Sequence, residues 1–157
     1  MNIPFLDNWR RRHGDDRPRG GPTAHGAGGS RGAEDDPERA AAIAELLSEC
    51  ELLRVRAERL GLTLDDTPAS LAALDQLPPR WRDDPEELPW VGNDAGLYLG
   101  TVIVRTVPGA RWHIWPGGHP VVRLASGREI GVVEAGLDWA SHGAPQLSQV
   151  YAEAAEA

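Results

Sequence analysis

The chain has 157 residues, a formal net charge of −8, and no Lys among its 16 basic residues. Its length suits one domain with an extension. Residues 1–32 carry six Arg against three Asp, a net charge of +3, whereas residues 33–157 carry ten Arg against 21 acidic residues, a net charge of −11. The acidic folded part argues against nucleic acid as a ligand, because binding phosphates requires clustered cations.

The single Cys excludes an internal disulfide and a metal site built from several Cys. No apolar run reaches the roughly 18 residues that span a bilayer. The first residues form neither a basic leader nor an apolar export segment. We therefore expect a cytoplasmic protein, and no motif in the sequence indicates a cofactor.

Residues 1–12 predict a short amphipathic arm, in which apolar side chains precede three Arg. Its candidate contact residues are Phe5, Leu6, Trp9, Arg10, Arg11 and Arg12. In one interpretation the arm docks on an acidic partner or touches an anionic membrane surface. In the other it folds back on the chain or has no role. A single amphipathic turn that contains Pro4 is a weak membrane anchor.

Residues 13–36 are rich in Gly, Pro, Asp and Arg and predict a disordered linker. Such a segment buries too little apolar surface to offset an ordering entropy of about 1–2 kcal/mol per residue. We therefore place the folded domain at residues 37–157, with a long helix over 37–60 and the core over 62–157.

The long helix over residues 37–60 has clear ends. Asp36 and Pro37 supply a capping carboxylate and a Pro at the first helical position, and Gly61 is typical of a helix end. Apolar residues recur at spacings of three and four, as in a coiled-coil seam: Ile43, Leu46, Cys50, Leu53, Ala57 and Leu60. One interpretation is a homodimer through this helix, with Cys50 facing its counterpart. The other, favoured because the seam is short, is a helix packed on its own domain.

A second, shorter helix is predicted to start at Thr67 and Pro68 and to end at Pro78. Its apolar face consists of Leu71, Leu74 and Leu77. A helical turn that starts at Pro85, capped by Asp84, follows. The acidic residues around it are Asp83, Asp84, Glu86 and Glu87. Consecutive acids on a helix do not converge on one face, so we expect them to be solvated rather than to form a metal or acid–base site.

The apolar run Leu97–Val107 lies at the centre of the predicted core and has two interpretations. As a helix it is capped by Asn93 or Asp94, and Gly96 and Gly100 leave a groove in which another element approaches closely. As a strand, its β-branched residues are favourable and its two apolar faces indicate a central, buried position. The helix is favoured because the strand leaves both glycines unexplained.

Three short strands are predicted in the last third of the chain, at Arg111–Trp115, Val121–Leu124 and Arg128–Val133. A Gly- and Pro-rich turn over residues 116–120 and a tight turn at Ser126–Gly127 connect them into an antiparallel meander. Such a sheet needs cover on at least one face, which the preceding helix can provide.

Two helices are expected after the sheet, from Glu134 through Ala140 and from Pro145 onwards. The first partly buries Leu137 and Trp139. The inward residues of the second are Leu147, Val150, Tyr151 and Ala154.

The residue types of enzyme sites are scattered in this sequence. His113 and His119, with Glu134 or Asp138, are the nearest approach to a metal site, but no H-x-H or H-x₃-H spacing supports one. Acidic neighbours of Cys50 disfavour its thiolate and hence a catalytic role. We find no nucleophile–base pair and expect no enzymatic activity.

Three blocks carry a resemblance to a known family: MNIPFLDNW at the start, SLAALDQLPPRWRDDPEELPWVGNDAGLYLGTVIVRTVPGARWHIWPGGHPVVRLASGREI at 70–130, and WASHGAPQLSQVYAEAAEA at the end. They are similar to an actinobacterial family of unknown function, and the similarity covers most of the chain outside 13–36. The pattern GLYLG at 96–100 followed by GARW at 109–112 also resembles small α+β domains, in which it falls on a helix leading into a strand. The resemblance implies no catalytic residues.

These elements together predict an α+β fold, with helices packed on a small three-stranded antiparallel meander, preceded by a long helix and a disordered N-terminal arm. We expect a non-enzymatic protein-interaction module, since six Trp exceed what a small core needs and Trp is enriched at interface hot spots. The candidate surface consists of Trp81, Trp90, Tyr98, Trp112 and Trp115. The alternative is that most of these residues fill the core.

Two other functions remain open at this point. An immunity-like or inhibitory protein would use its acidic surface to bind a basic partner. A small-ligand binder or enzyme would require a deep pocket converging on His113, Arg123 or Glu134.

Overall fold

The computed structural model describes residues 36–77 and 85–157. The helices in this part are α1 Pro37–Leu47, α2 Glu51–Arg59, α3 Pro68–Leu74, α4 Leu88–Thr106, α5 Val132–His142 and α6 Leu147–Glu156. The strands are β1 Arg111–Ile114, β2 Pro120–Arg123 and β3 Glu129–Ile130, and they form an antiparallel sheet in the order β1-β2-β3. The predicted α+β fold with a three-stranded meander is confirmed.

The central element of the core is α4, so the helical interpretation of Leu97–Val107 is correct as far as Thr106, and Val107 is already extended. The predicted start of this helix is wrong. It begins at Leu88 and carries Pro89 in its first turn, where a missing N–H costs nothing because no intrahelical partner exists. Asn93 and Asp94 therefore lie inside the helix and do not cap it. No helix in the described ranges is long and apolar enough to cross a membrane.

Glycines allow α4 and α5 to pack backbone against backbone. A Cβ atom added to Gly136 would lie 2.6 Å from Cα of Gly96, and one added to Gly96 would lie 2.7 Å from Cα of Val133. At Gly92 the added Cβ would lie 3.0 Å from Cα of Leu137. These distances leave no room for side chains, so the predicted groove at Gly96 exists and α5 fills it.

The predicted long helix over 37–60 is broken, which corrects its assignment as one element. The break lies at Cys50, whose φ of 40° and ψ of 43° are left-handed and cannot continue an α-helix. The Cys50 thiol lies in the core and donates to the carbonyl oxygen of Leu47 at 3.4 Å. Leu53 and Ala57 are also buried in the chain's own core.

The two helices α1 and α2 therefore pack on their own domain, which agrees with the interpretation that the sequence favoured. The hypothesis that Cys50 faces a second copy is wrong, because its side chain is enclosed by its own chain. A homodimer through residues 37–60 remains a prediction.

The two ends predicted for the helix over 37–60 are confirmed, as the start of α1 and the end of α2. The Asp36 side chain accepts the backbone N–H of Glu38 at 3.1 Å. Gly61 has a φ of 80°, and the N–H of Leu62 donates to the carbonyl oxygen of Ala57 at 2.9 Å, which is the Schellman pattern of a helix end. Both caps depend on residues next to them in the chain.

The short helices also follow the prediction. At the start of α3 the Thr67 hydroxyl accepts the Ser70 N–H at 3.4 Å, and Leu71 and Leu74 are buried. In α6, Leu147 and Ala154 are buried, while Val150 and Tyr151 are partly buried.

The third strand is shorter than predicted, which corrects the range Arg128–Val133. Only Glu129–Ile130 pair with β2, and α5 begins at Val132 rather than at Glu134. Valines favour strands locally. Here, however, Val132 and Val133 are buried against the glycine groove of α4, and a helix is what places them there.

We predict that Gly96→Ala destabilises the protein although alanine is the better helix former. Intrinsic propensity alone would stabilise the helix by about 0.8–1.0 kcal/mol. Overpacking against the α5 backbone costs about 1–3 kcal/mol, so the free energy of unfolding should decrease. Urea denaturation measures this change.

The matched control is Gly117→Ala. An added Cβ at Gly117 meets no atom within 4 Å, so its free energy of unfolding should stay within about 0.5 kcal/mol of the wild type. A Gly96→Ala protein more stable than the wild type would contradict the close helix contact.

Candidate interaction surface

Tyr98 is fully buried, which removes it from the predicted surface. Its hydroxyl accepts the backbone N–H of Asp66 at 2.9 Å and shares a hydrogen bond with the Ser70 hydroxyl at 2.7 Å. The Arg54 guanidinium lies over its ring, 5.3 Å from the centroid. Burial raises the pKa of Tyr98. The side chain therefore ties α4 to the chain preceding α3.

Trp112 is half-buried, and its ring fills the space that Gly100 leaves open. A Cβ atom at Gly100 would lie 2.8 Å from Cζ2 of Trp112. The second glycine of the predicted groove thus admits an aromatic ring rather than another backbone. Trp112 connects the sheet to α4 and is mainly a packing residue.

Trp115 is half-exposed, with 50% of its surface accessible. Its indole Nε1–H donates to Oε2 of Glu129 at 2.8 Å, and Oε1 of Glu129 accepts from Nη2 of Arg123 at 3.0 Å. These bonds from Arg123 and Trp115 lower the pKa of the Glu129 carboxyl. The backbone N–H of Trp115 donates to the carbonyl oxygen of His119 at 3.0 Å. The ring is therefore exposed and held in place.

Trp90 is also exposed, at 43%, in the first turn of α4. It lies about 15 Å along the helix axis from Gly100, over which the Trp112 ring packs. The rings of Trp90 and Trp112 therefore lie apart along α4. Trp81 lies outside the described residues, as do the predicted arm contacts Phe5, Leu6, Trp9, Arg10, Arg11 and Arg12.

Trp139 was expected to be partly buried but is completely buried. Its indole N–H donates to Oδ1 of Asp75 at 3.0 Å. The same carboxylate accepts the backbone N–H groups of Leu147 at 2.7 Å and Ser148 at 3.1 Å. Asp75, just after α3, thus caps the start of α6 and holds α5 beside it. Sequence reasoning missed this role.

Asp94 also caps a helix, although not its own. Its Oδ2 accepts the backbone N–H of Leu53, in the first turn of α2, at 3.1 Å. Burial raises the pKa of Asp94, and hydrogen bonds from the backbone of Leu53 and Leu52 oppose that rise. A lone carboxylate inside an apolar run was the available signal for such a buried partner.

A third aspartate, Asp66, binds two Arg from different helices. Its Oδ1 accepts from Nη2 of Arg54 at 3.0 Å, and its Oδ2 pairs with Arg105 of α4. Together with its N–H bond to Tyr98, this fastens the loop after α2 to α4.

The chemically reactive residue types form no metal cluster in the described part of the chain. Among residues 36–77 and 85–157, no three His, Cys, Asp or Glu side chains are placed to hold a metal ion. Burial and then Asp94 raise the pKa of the Cys50 thiol well above its usual range. The direction expected from acidic neighbours is confirmed, but burial is the main cause.

The outer face of α2 carries a second surface feature, which sequence reasoning did not single out. A shallow depression there is lined by Glu49, Glu51, Arg54, Val55 and Glu58. Val55 is 40% exposed. This face combines an exposed apolar side chain with three carboxylates.

The fold and these surfaces define a small α+β protein in which helices pack around a three-stranded meander. Over residues 1–157 the chain matches the family of unknown function DUF6278, and it belongs to that family. The predicted membership of a family of unknown function is confirmed. No curated protein and no solved structure matched the chain.

We predict that Asp75→Ala lowers the free energy of unfolding by at least about 2 kcal/mol. The change leaves the buried Trp139 N–H and the first N–H groups of α6 without their acceptor, and each unsatisfied buried group costs about 1–3 kcal/mol. Urea denaturation measures the loss, and hydrogen exchange at Leu147 and Ser148 should accelerate. The control Asp138→Ala, at an exposed site of α5, should change stability by no more than about 0.5 kcal/mol. Equal stability of the two variants would exclude the capping role.

We predict that Asp94 makes stability depend on pH with the opposite sign to a surface ion pair. Because burial raises its folded-state pKa above 3.8, the stability gained by protonation is complete below that pH. This contribution of the protonated Asp94 carboxyl to the unfolding free energy is lost as the pH rises through the folded-state pKa. Asp94→Asn keeps an oxygen acceptor for Leu53 but does not titrate. The unfolding free energy of the wild type minus that of Asp94→Asn should therefore decrease from pH 3.8 to neutrality.

Urea titrations at several pH values measure that difference. Asp94→Ala serves as the comparison, since it removes the cap as well as the charge and should be less stable than Asp94→Asn by about 1 kcal/mol at every pH. A difference that is flat or grows with pH would rule out a buried, charge-penalised carboxylate.

Proposed function

We propose that this protein is a non-enzymatic, cytoplasmic protein-interaction module whose binding surface is anchored by Trp115. The observation that carries the proposal is the half-exposed indole ring of Trp115, held by Glu129. Core packing explains Trp139, Tyr98 and Trp112, but it does not explain an exposed ring.

A fixed aromatic side chain is favourable for binding. Ordering a mobile side chain at an interface costs about 0.5–1.5 kcal/mol. The hydrogen bond from the Trp115 indole to Glu129 supplies that order before a partner arrives. Trp is also among the residues that most often dominate binding energy. Trp90, the other exposed Trp among the described residues, is a second contact candidate.

A second candidate function is an immunity-like or inhibitory protein that binds a basic partner. Its support is the face of α2, where Glu49, Glu51 and Glu58 surround Val55. The attraction between these carboxylates and a basic partner would raise the association rate and favour basic partners over others. Binding would then weaken steeply with salt, because exposed charges are screened within about 8 Å at 0.15 M ionic strength.

We predict that a photo-crosslinking amino acid at position 115 yields a discrete protein adduct in the native host. The same amino acid at Ser126, an exposed turn position next to the sheet, should yield none. The partner recovered from that adduct should bind Trp115→Ala about 30-fold more weakly, the loss expected for a hot-spot residue.

Trp115→Ala should remain folded and lose only about 1–3 kcal/mol of unfolding free energy, for the half-buried ring and its hydrogen bond, which separates lost contact from lost fold. A partner that binds Trp115→Ala as tightly as it binds the wild type would exclude Trp115 as the anchor. Adducts at α2 positions alone would favour the second candidate.

A further inference from the structure

The outer face of α2 carries carboxylates that the fold does not neutralise. Within the described ranges, Glu49, Glu51 and Glu58 form no ion pair with another side chain. They surround Val55, whose side chain is 40% exposed. An exposed apolar side chain inside a ring of negative charge fits a segment that carries both apolar and basic side chains.

The Arg residues of α2 leave this charge in place. Arg54 also lines the depression, but its guanidinium group donates to the carbonyl oxygens of Ser48, Glu49 and Leu64 and to the Asp66 carboxylate rather than to the three Glu side chains. Arg56 pairs with Glu87. Arg59 does not line the depression.

We propose that residues 1–12 of the same chain dock on this face of α2. That segment carries Ile3, Phe5, Leu6 and Trp9, followed at once by Arg10, Arg11 and Arg12. The apolar side chains cover Val55, and the three guanidinium groups lie among Glu49, Glu51 and Glu58. This inference goes beyond the proposed function, because it assigns an occupant from within the chain to a surface distinct from Trp115.

Charge and chain length both favour this occupant. Residues 1–32 carry a net charge of +3, opposite in sign to the −11 of residues 33–157. Residues 13–35 span at most about 75 Å when extended, whereas α1, which separates them from the face of α2, is about 16 Å long. The tether makes docking intramolecular, which raises the effective concentration of the arm at the α2 face. An arm in this place also competes with any external basic partner for the same carboxylates.

Paramagnetic NMR on the full chain tests the proposal. The Asn8→Cys variant takes a nitroxide label at that position, because burial and a raised pKa protect the native Cys50 thiol from labelling. The backbone amide signals of Glu51, Val55 and Glu58 should lose most of their intensity relative to the reduced label. Those of Glu153 and Glu156 on α6 should keep theirs. At 1 M salt, where the screening length is about 3 Å, the α2 signals should recover.

Charge reversal makes the test specific. Replacing Arg10, Arg11 and Arg12 by Glu should restore the α2 signals, and so should replacing Glu49, Glu51 and Glu58 by Arg. The matched control replaces three other exposed acids, Glu134, Glu153 and Glu156, by Arg and should leave the signal loss unchanged.

Three results would overturn the proposal. One is full intensity of the α2 amide signals in the labelled chain that keeps Arg10, Arg11 and Arg12. Another is a loss of these signals that persists after the three Arg are replaced by Glu. The third comes from mixing nitroxide-labelled chain without ¹⁵N with unlabelled ¹⁵N chain. Loss at α2 in that mixture would assign the contact to a second copy. Trp115→Ala should leave every result unchanged, so failure of the arm contact and failure of the proposed function remain distinguishable.

Discussion

The fold depends on the direct contact between the backbones of α4 and α5. Gly92 and Gly96 on one helix and Gly136 on the other remove the side chains that would hold these helices apart. Van der Waals contact then extends over the backbones themselves, where small displacements lose much of the attraction. This crossing places Trp139 in the core and directs the chain after α5 towards α3, where Asp75 caps α6.

Three aspartates complete the assembly around that crossing. Asp94 caps α2 from within α4, Asp75 caps α6 from the end of α3, and Asp66 pairs with Arg of α2 and α4. A buried carboxylate is stable only when its oxygens accept hydrogen bonds or pair with cations. Each of these groups meets that condition with neighbours that it also holds in position. Their role in the described structure is to join helices.

The two surfaces that support a function lie outside this framework. Trp115 sits at the end of β1, fixed by a neighbouring carboxylate, and the acidic face of α2 surrounds Val55. Neither surface is required by the α4–α5 packing, so both can vary without changing the fold. Membership of a family of unknown function establishes relationship but assigns no partner. The physical properties of these surfaces therefore carry the functional proposals.

The sequence by itself determined the features that depend on neighbouring residues: the caps at Asp36 and Thr67, the helix end at Gly61, the helical state of Leu97–Val107 and the meander with its turns. Only the tertiary structure decided the break at Cys50, the helical state of Val132, and which aromatic rings are buried. The reason is distance along the chain, since Asp75 binds a residue 73 positions away and no local pattern encodes that contact. The burial of Tyr98, which the sequence placed on the aromatic surface, has the same cause, because exposure depends on what packs around a ring.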